Sequence, residues 1–209
     1  IVPSISSTNR RISLSLYFSI TLSDHYKNRF IKVIMKNTTK NLTLRLCITA
    51  MFMAVNIVLS SSVFSVPVPG GHLYMNDIAI CTASLVLDPI SAFIVGGVGS
   101  FIGDLLFYPA PMFVSLVTHG VQAAVISIIA HHALKSHKLA ASSLGVFAGA
   151  VIMVAGYSFG RAYIYSTPEY ALLKLPYQIL QATVGAVAGV LICHRFGVIK
   201  LAKKAGFYY

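Results

Sequence analysis

Six apolar stretches follow one another from residue 44 onward, at 44–66, 78–87, 90–107, 112–130, 139–163 and 171–196. Most approach the roughly 20 residues that a helix needs to cross the hydrocarbon core of a bilayer. In water these runs would require a polar exterior, and the chain does not have one. Charged residues make up 10% of its 209 positions against 56% hydrophobic, and the mean hydropathy is +0.79. Soluble domains carry about a quarter charged. The solvent that suits this chain is lipid. The same arithmetic excludes a disordered chain, a coiled coil and a nucleic-acid module.

Stretch 78–87 is short and ends at Asp88-Pro89, so the count is five or six. Charge placement separates the two. The region through Arg45 holds eight Lys/Arg; Lys135 and Lys138 lie between the fourth and fifth stretches; Arg195, Lys200, Lys203 and Lys204 follow the sixth. The connections 67–77, 88–89 and 108–111 hold none. With six helices every basic region falls on one side, the cytoplasmic side by the positive-inside rule. With five, the Lys135/Lys138 connection lands outside and the termini part company. The expectation is an all-α integral membrane protein of the cell membrane: a compact bundle of six transmembrane helices with both termini cytoplasmic. Gly96, Gly97, Gly99, Ser100 and Gly103, with Gly145, Gly149, Gly156, Gly185 and Gly189, supply the small residues through which helices pack in lipid.

The net charge of +11 belongs to that topology rather than to a nucleic-acid partner, because no basic stretch interleaves with stacking aromatics. Residues 1–34 are polar, basic and free of methionine. Arg10-Arg11 precede an apolar run at 12–22, but serines interrupt it and no cleavage site follows. We expect a leader over 1–34, a functional start at Met35 and a six-helix membrane domain over 35–209. Cys47, Cys81 and Cys193 are odd in number, far apart and without CxxC spacing, so inert buried thiols are expected. His131, His132 and His137 do not share a helix face and lack a fourth ligand, which reads as a solvated loop rather than a metal site. No metal or cofactor is expected.

Polar residues inside a membrane are expensive and point to function. Here they gather in the outer halves of the assigned helices: Asp104 and Tyr108, then Ser115, His119 and Gln122, then Tyr157 and Arg161, then Lys174, Tyr177, Gln178 and Gln181. Ser115/His119/Gln122 and Lys174/Gln178/Gln181 are spaced to share one helical face. The first external connection adds Tyr74, Asn76 and Asp77 beneath a Pro- and Gly-rich run, 67–71. Bland readings stand beside these. Asp104 can pair structurally with Arg161 or Lys174, His119 can be an interhelical histidine, and Tyr108, Tyr163 and Tyr165 can be interfacial belt residues. The chain has no HExxH, no GxSxG, no carboxylate pair within one helical turn and no Walker A motif, so neither an enzyme nor an ATPase is indicated.

Four pieces of sequence resemble one family. Ala50-Met51-Phe52-Met53-Ala54 is similar to the Ala-x-x-x-Ala face with which the substrate-binding (S) subunits of energy-coupling factor vitamin transporters dock. His72-Leu73-Tyr74-Met75-Asn76-Asp77-Ile78 resembles their entry to helix two, although Asn76 stands where Gly is expected. Gly96-Gly97-Val98-Gly99-Ser100 with Asp104-Leu105-Leu106 is similar to the helix-three signature. Gly156-Tyr157 and Pro176-Tyr177-Gln178-Ile179-Leu180-Gln181-Ala182 match the late helices, while His119 stands near a position where many relatives carry Lys. The resemblance covers residues 40–200. It implies high-affinity capture of a vitamin or related small heterocycle from outside, with Ala50 and Ala54 docking on a transmembrane coupling subunit and two ATPases driving release. Tyr, Gln, Arg161, Lys174 and Asp104 suit riboflavin, pyridoxine, hydroxymethylpyrimidine or a pantothenate-like molecule. The alternatives are an ion-coupled transporter with Asp104 or Asp77 as carrier, and an intramembrane enzyme with His119 or Asp104 as acid/base.

Overall fold

The computed structural model describes residues 42–69, 71–134 and 137–208. The expected leader over 1–34, the start at Met35 and Lys135 lie outside the described residues. The fold resides in the unit Leu44–Tyr209. Its helices are α1 (Leu42–Leu59), α2 (Asn76–Ser84), α3 (Pro89–Phe107), α4 (Met112–His132), α5 (Lys138–Tyr165), α6 (Pro168–His194) and α7 (Val198–Ala205). Between α1 and α2 lie a turn of tighter helix at Ser62–Phe64 and a hairpin of β1 (Ser65–Val68) and β2 (Gly71–Tyr74).

Five of the helices, α1, α3, α4, α5 and α6, run for 18 to 28 residues and are apolar enough to cross a membrane. The second stretch does form a helix, but its nine residues rise only about 13.5 Å, roughly half a hydrocarbon core. Eight of those nine residues are buried. The helix is an interior strut, packed chiefly on α6 and α4. After it the chain turns through Leu85, Val86 and Leu87, all within the core.

α1 stops at Leu59 rather than running to 66. Ser60 bonds its Oγ back to the Asn56 carbonyl at 2.9 Å, the kind of local side-chain bond that competes with helix propagation. The chain then folds into an antiparallel ribbon pairing Ser65 with Tyr74 and Val68 with Gly71, where a loop was expected. Gly71 has φ +136, a region open to glycine and strained for other residues.

α3 begins on Asp88, whose carboxylate accepts from the Ser91 amide at 3.3 Å, with Pro89 at the first helical position as its fixed φ favours. Asp88 also pairs with Arg45 of α1. Burial alone would raise the Asp88 carboxyl, but the Ser91 hydrogen bonds and the Arg45 guanidinium outweigh it and hold it below its usual value. A π turn at Ile94–Val98 widens α3. Asn56 fills the resulting gap in the ladder, donating from Nδ2 to the Val95 carbonyl at 2.7 Å and to Ser100 Oγ at 3.2 Å. Within the same turn a Cβ on Gly96 would lie 2.5 Å from the His119 carbonyl oxygen. Glycine there is what lets α3 lie against α4 at the level of His119.

Large apolar side chains point outward, as lipid requires; Phe147 is 67% and Leu172 70% exposed. α1 is the least buried spanning helix. The basic tail after α6, unassigned from sequence, forms α7. Gly197 (φ +79) redirects the chain, Ala202 and Phe207 pack on the core, and Lys200, Lys203 and Lys204 stay exposed. Burial, followed by Cys193, raises the Tyr208 phenol; its ring lies 5.2 Å from that of His131.

Two expectations are corrected here. His131 and His132 belong to the last turn of α4, with His131 Nδ1 2.7 Å from the Ser127 carbonyl, because the helix runs two residues past Ala130. Cys47 is exposed on the outer face of α1, whereas Cys81 and Cys193 are buried.

Candidate functional site

Under the hairpin, α3, α4, α5 and α6 enclose a cavity of ≈ 200 Å³. Each wall follows from a local pattern. Asp104 and Tyr108 come from the last turn of α3 and the residue after it, and His119 from the inner face of α4. Lys174, Gln178 and Gln181 come from one face of α6. Along α5, Met153, Tyr157, Arg161 and Tyr165 recur every fourth residue, the last two on a π turn at Arg161–Tyr165. Gly71, His72, Tyr74 and Asn76 form the roof, and Pro111 closes one side.

A carboxylate fixed behind the wall organises the polar groups. Asp77 Oδ1 accepts from Gln122 Nε2 at 3.0 Å and Oδ2 from Gln181 Nε2 at 2.6 Å. A carboxylate takes hydrogen bonds only from donors, so both amides must turn their nitrogens toward it. Their oxygens then point away. Gln181 Oε1 accepts from the Tyr74 amide at 3.1 Å, which fastens the hairpin to α6. Gln122 Oε1 lies 2.7 Å from His119 Nδ1, so that ring nitrogen carries the proton, and a neutral His119 keeps Nε2 as an acceptor. Asp77 Oδ1 is 3.9 Å from the same Nδ1.

A second cluster joins three helices. Asp104 Oδ2 accepts from Ser115 Oγ, which is also 2.5 Å from the Tyr157 hydroxyl. The Tyr157 ring meets His119 edge-on at 5.1 Å. Gln178 Nε2 donates to the Val154 carbonyl at 2.9 Å, and Lys174 Nζ donates to the His72 carbonyl of the roof. The Arg161 guanidinium lies over the Tyr165 ring at 5.5 Å. Burial, reinforced by Asp104 and Tyr108 and opposed by Arg161, raises the Tyr74 phenol above 10.0, so Tyr74 meets the cavity as a neutral hydroxyl. Asn76 Oδ1 is buried with no hydrogen-bond partner among the described residues.

Ten of the thirteen residues expected around a ligand line this cavity: Tyr74, Asn76, Asp104, Tyr108, His119, Tyr157, Arg161, Lys174, Gln178 and Gln181. Asp77 and Gln122 stand behind the wall, where they orient other groups. Tyr177 is half-buried and lines no part of it; its position on α6 lies about 60° from Lys174 around the helix. As for the structural pairing expected of Asp104, its carboxylate engages Ser115, and no carboxylate comes within ion-pair reach of Lys174 among the described residues. Tyr165 lies in the cavity rather than in an interfacial belt, whereas Tyr163 is 74% exposed. The sequence reading missed Gly71, His72, Pro111, Met153 and Tyr165. The last was findable, since it continues the Tyr157/Arg161 spacing by four. Among the described residues no group of three or more His, Cys, Asp or Glu comes together as a metal site would need.

A family model described as "ECF-type riboflavin transporter, S component" matches residues 40–197, about three quarters of the chain. The chain is also similar to a Pyrococcus woesei protein described as "Uncharacterized protein in gap 3'region". They are 26% identical over 135 residues, which is 64% of this chain and 88% of that protein.

Proposed function

The chain belongs to the ECF-type riboflavin transporter S component family, whose members are multi-pass cell-membrane transport proteins and not enzymes, and on that footing we propose that it captures a vitamin-like heterocycle in the cavity beneath the hairpin. The observation that carries the reading is the cavity itself: twelve polar or aromatic side chains, from six elements and the residue after α3, meet in one space inside an otherwise apolar bundle. Burying that many polar groups is costly without partners, and a ligand with several hydrogen-bonding edges supplies them. The hairpin closes the space through main-chain bonds to α6, a geometry suited to a cover that opens toward the outside.

In this reading α2 completes a six-segment topology with both chain ends on the cytoplasmic side. Its support is the clustering of Arg45, Lys138, Arg195, Lys200, Lys203 and Lys204 at the end of the bundle away from the cavity, where Arg45 also meets Asp88. Release inward then depends on a transmembrane coupling subunit and two ATPases. Ala50 and Ala54 are exposed on the sparsely buried α1. Small side chains there allow a partner helix close backbone approach.

Ala50→Trp separates docking from binding. The variant should lose energy-dependent uptake when co-expressed with a coupling module while the detergent-purified protein keeps its ligand affinity. Uptake at the wild-type rate would refute the docking role. Uptake by the purified chain alone in liposomes would favour a self-sufficient transporter.

A further inference from the structure

The two cations of the cavity converge on one point. A Cβ built on Gly71 would lie 3.9 Å from Arg161 Nη1 and 4.0 Å from Lys174 Nζ. Glycine at φ +136 leaves that point empty, so both cations face an open niche under the roof. Lys174 is only 3% exposed. Its hydrogen bond goes to the His72 carbonyl, and no carboxylate lies within ion-pair distance of it among the described residues. A buried ammonium with one neutral acceptor and a guanidinium nearby is poorly compensated, since burial weakens solvation and strengthens like-charge repulsion.

The local carboxylates are committed elsewhere. Asp77 holds Gln122 and Gln181 with its two oxygens. Among the described residues Asp104 is the one carboxylate on the cavity wall, and it engages Ser115 beside Tyr157. The positive end of the cavity therefore lacks a protein counter-charge at Lys174. We infer that the ligand supplies it: the substrate carries an oxyanion, a carboxylate or a phosphate, seated between Lys174 and Arg161 in the niche beneath Gly71. The rest of the ligand then meets Asp104, Tyr157 and the acceptor nitrogen of His119. This rests on the capture function proposed above and narrows its substrate class from polar heterocycles in general to acidic ones.

Matched twins test it by calorimetry on the full chain in detergent. Riboflavin and riboflavin 5′-phosphate differ by the phosphate; pantothenol and pantothenate differ by the carboxylate. In one pair the acidic twin should bind at least tenfold tighter, and the pair in which this happens identifies the oxyanion. Lys174→Met and Arg161→Met should each reduce that ratio by roughly tenfold to a hundredfold, the worth of a charge-assisted contact. Neutral twins binding as well as acidic ones would overturn the inference and leave the capture function standing, and this comparison needs no variant to fold. A ratio that survives both substitutions would also overturn it. Failure of all four compounds to bind would count against both readings.

Discussion

Replacing Gly185 by alanine pits two effects of known size against each other. In a helix interior Ala is favoured over Gly by about 1 kcal/mol, so on propensity alone the change stabilises α6. The packing opposes it. A Cβ at 185 would lie 2.5 Å from the Asp77 Cβ, 3.1 Å from its carbonyl carbon and 3.3 Å from its carbonyl oxygen. Carbon atoms pack at about 3.5–4.0 Å, so α2 and α6 must separate by roughly 1 Å. Overpacking of this kind costs about 1–3 kcal/mol. The same separation stretches the 2.6 Å bond from Gln181 Nε2 to Asp77 Oδ2 beyond useful reach, and a hydrogen bond to a charged group is worth about 1.5–3 kcal/mol. Combined with the propensity gain, the net expectation is a loss of roughly 1.5–5 kcal/mol. Because Gln181 also holds the Tyr74 amide, ligand affinity should fall together with stability. Thermal unfolding in detergent, followed by circular dichroism, reads the first effect and calorimetry the second. Val187→Ala on the outward face of α6 serves as the neutral control. Gly185→Ala with the wild-type melting temperature and affinity would refute the account of how α2 and α6 are joined.

Two further outcomes are expected away from the α2–α6 contact. Asp88→Asn keeps a capping oxygen for Ser91 but loses the charge that meets Arg45. Since the folded Asp88 carboxyl titrates below 3.8, its contribution is present above that value and vanishes as the pH falls through the lowered one. Melting curves of wild type and variant should differ at neutral pH, by about 1 kcal/mol or less for a partly exposed pair, and converge as the pH falls below 3.8 through the lowered value; parallel curves would contradict this. Asn56→Ala removes the donor to the Val95 carbonyl and should cost roughly 1–2 kcal/mol, lowering the melting temperature with little change in ligand affinity. An unchanged melting temperature would mean that the π turn of α3 needs no side-chain support.

What the sequence reveals and what it hides follow from the range of the forces involved. Apolar runs fix the spanning helices because their length is set by the bilayer, and spacing by three or four puts Lys174, Gln178 and Gln181 on one face. The same rule reaches Met153 and Tyr165 on α5; the tyrosine is legible by its spacing from Tyr157 and Arg161, whereas a methionine inside an apolar helix carries no distinctive local signal. The hairpin is different in kind. It is fastened to α6, through Gln181 and Lys174, more than one hundred residues away in sequence. Asp77 reads as a ligand contact because it lies in the external connection with Tyr74 and Asn76, and Gln122 because it is polar and membrane-embedded; only the tertiary arrangement shows that they satisfy each other. α7 escaped notice because its apolar side is too narrow and its lysines too frequent to resemble a spanning segment.

The roof of the cavity is latched by backbone atoms, the Tyr74 amide and the His72 carbonyl, which grip side chains of α6. A latch of that kind is indifferent to which side chains the hairpin displays. His72 and Tyr74, whose side chains line the cavity, can be exchanged, and the chemistry facing the cargo retuned, while the lid shuts in the same way. Selectivity and closure are separable by design, which makes this ribbon the natural place to redirect the protein toward a different small molecule.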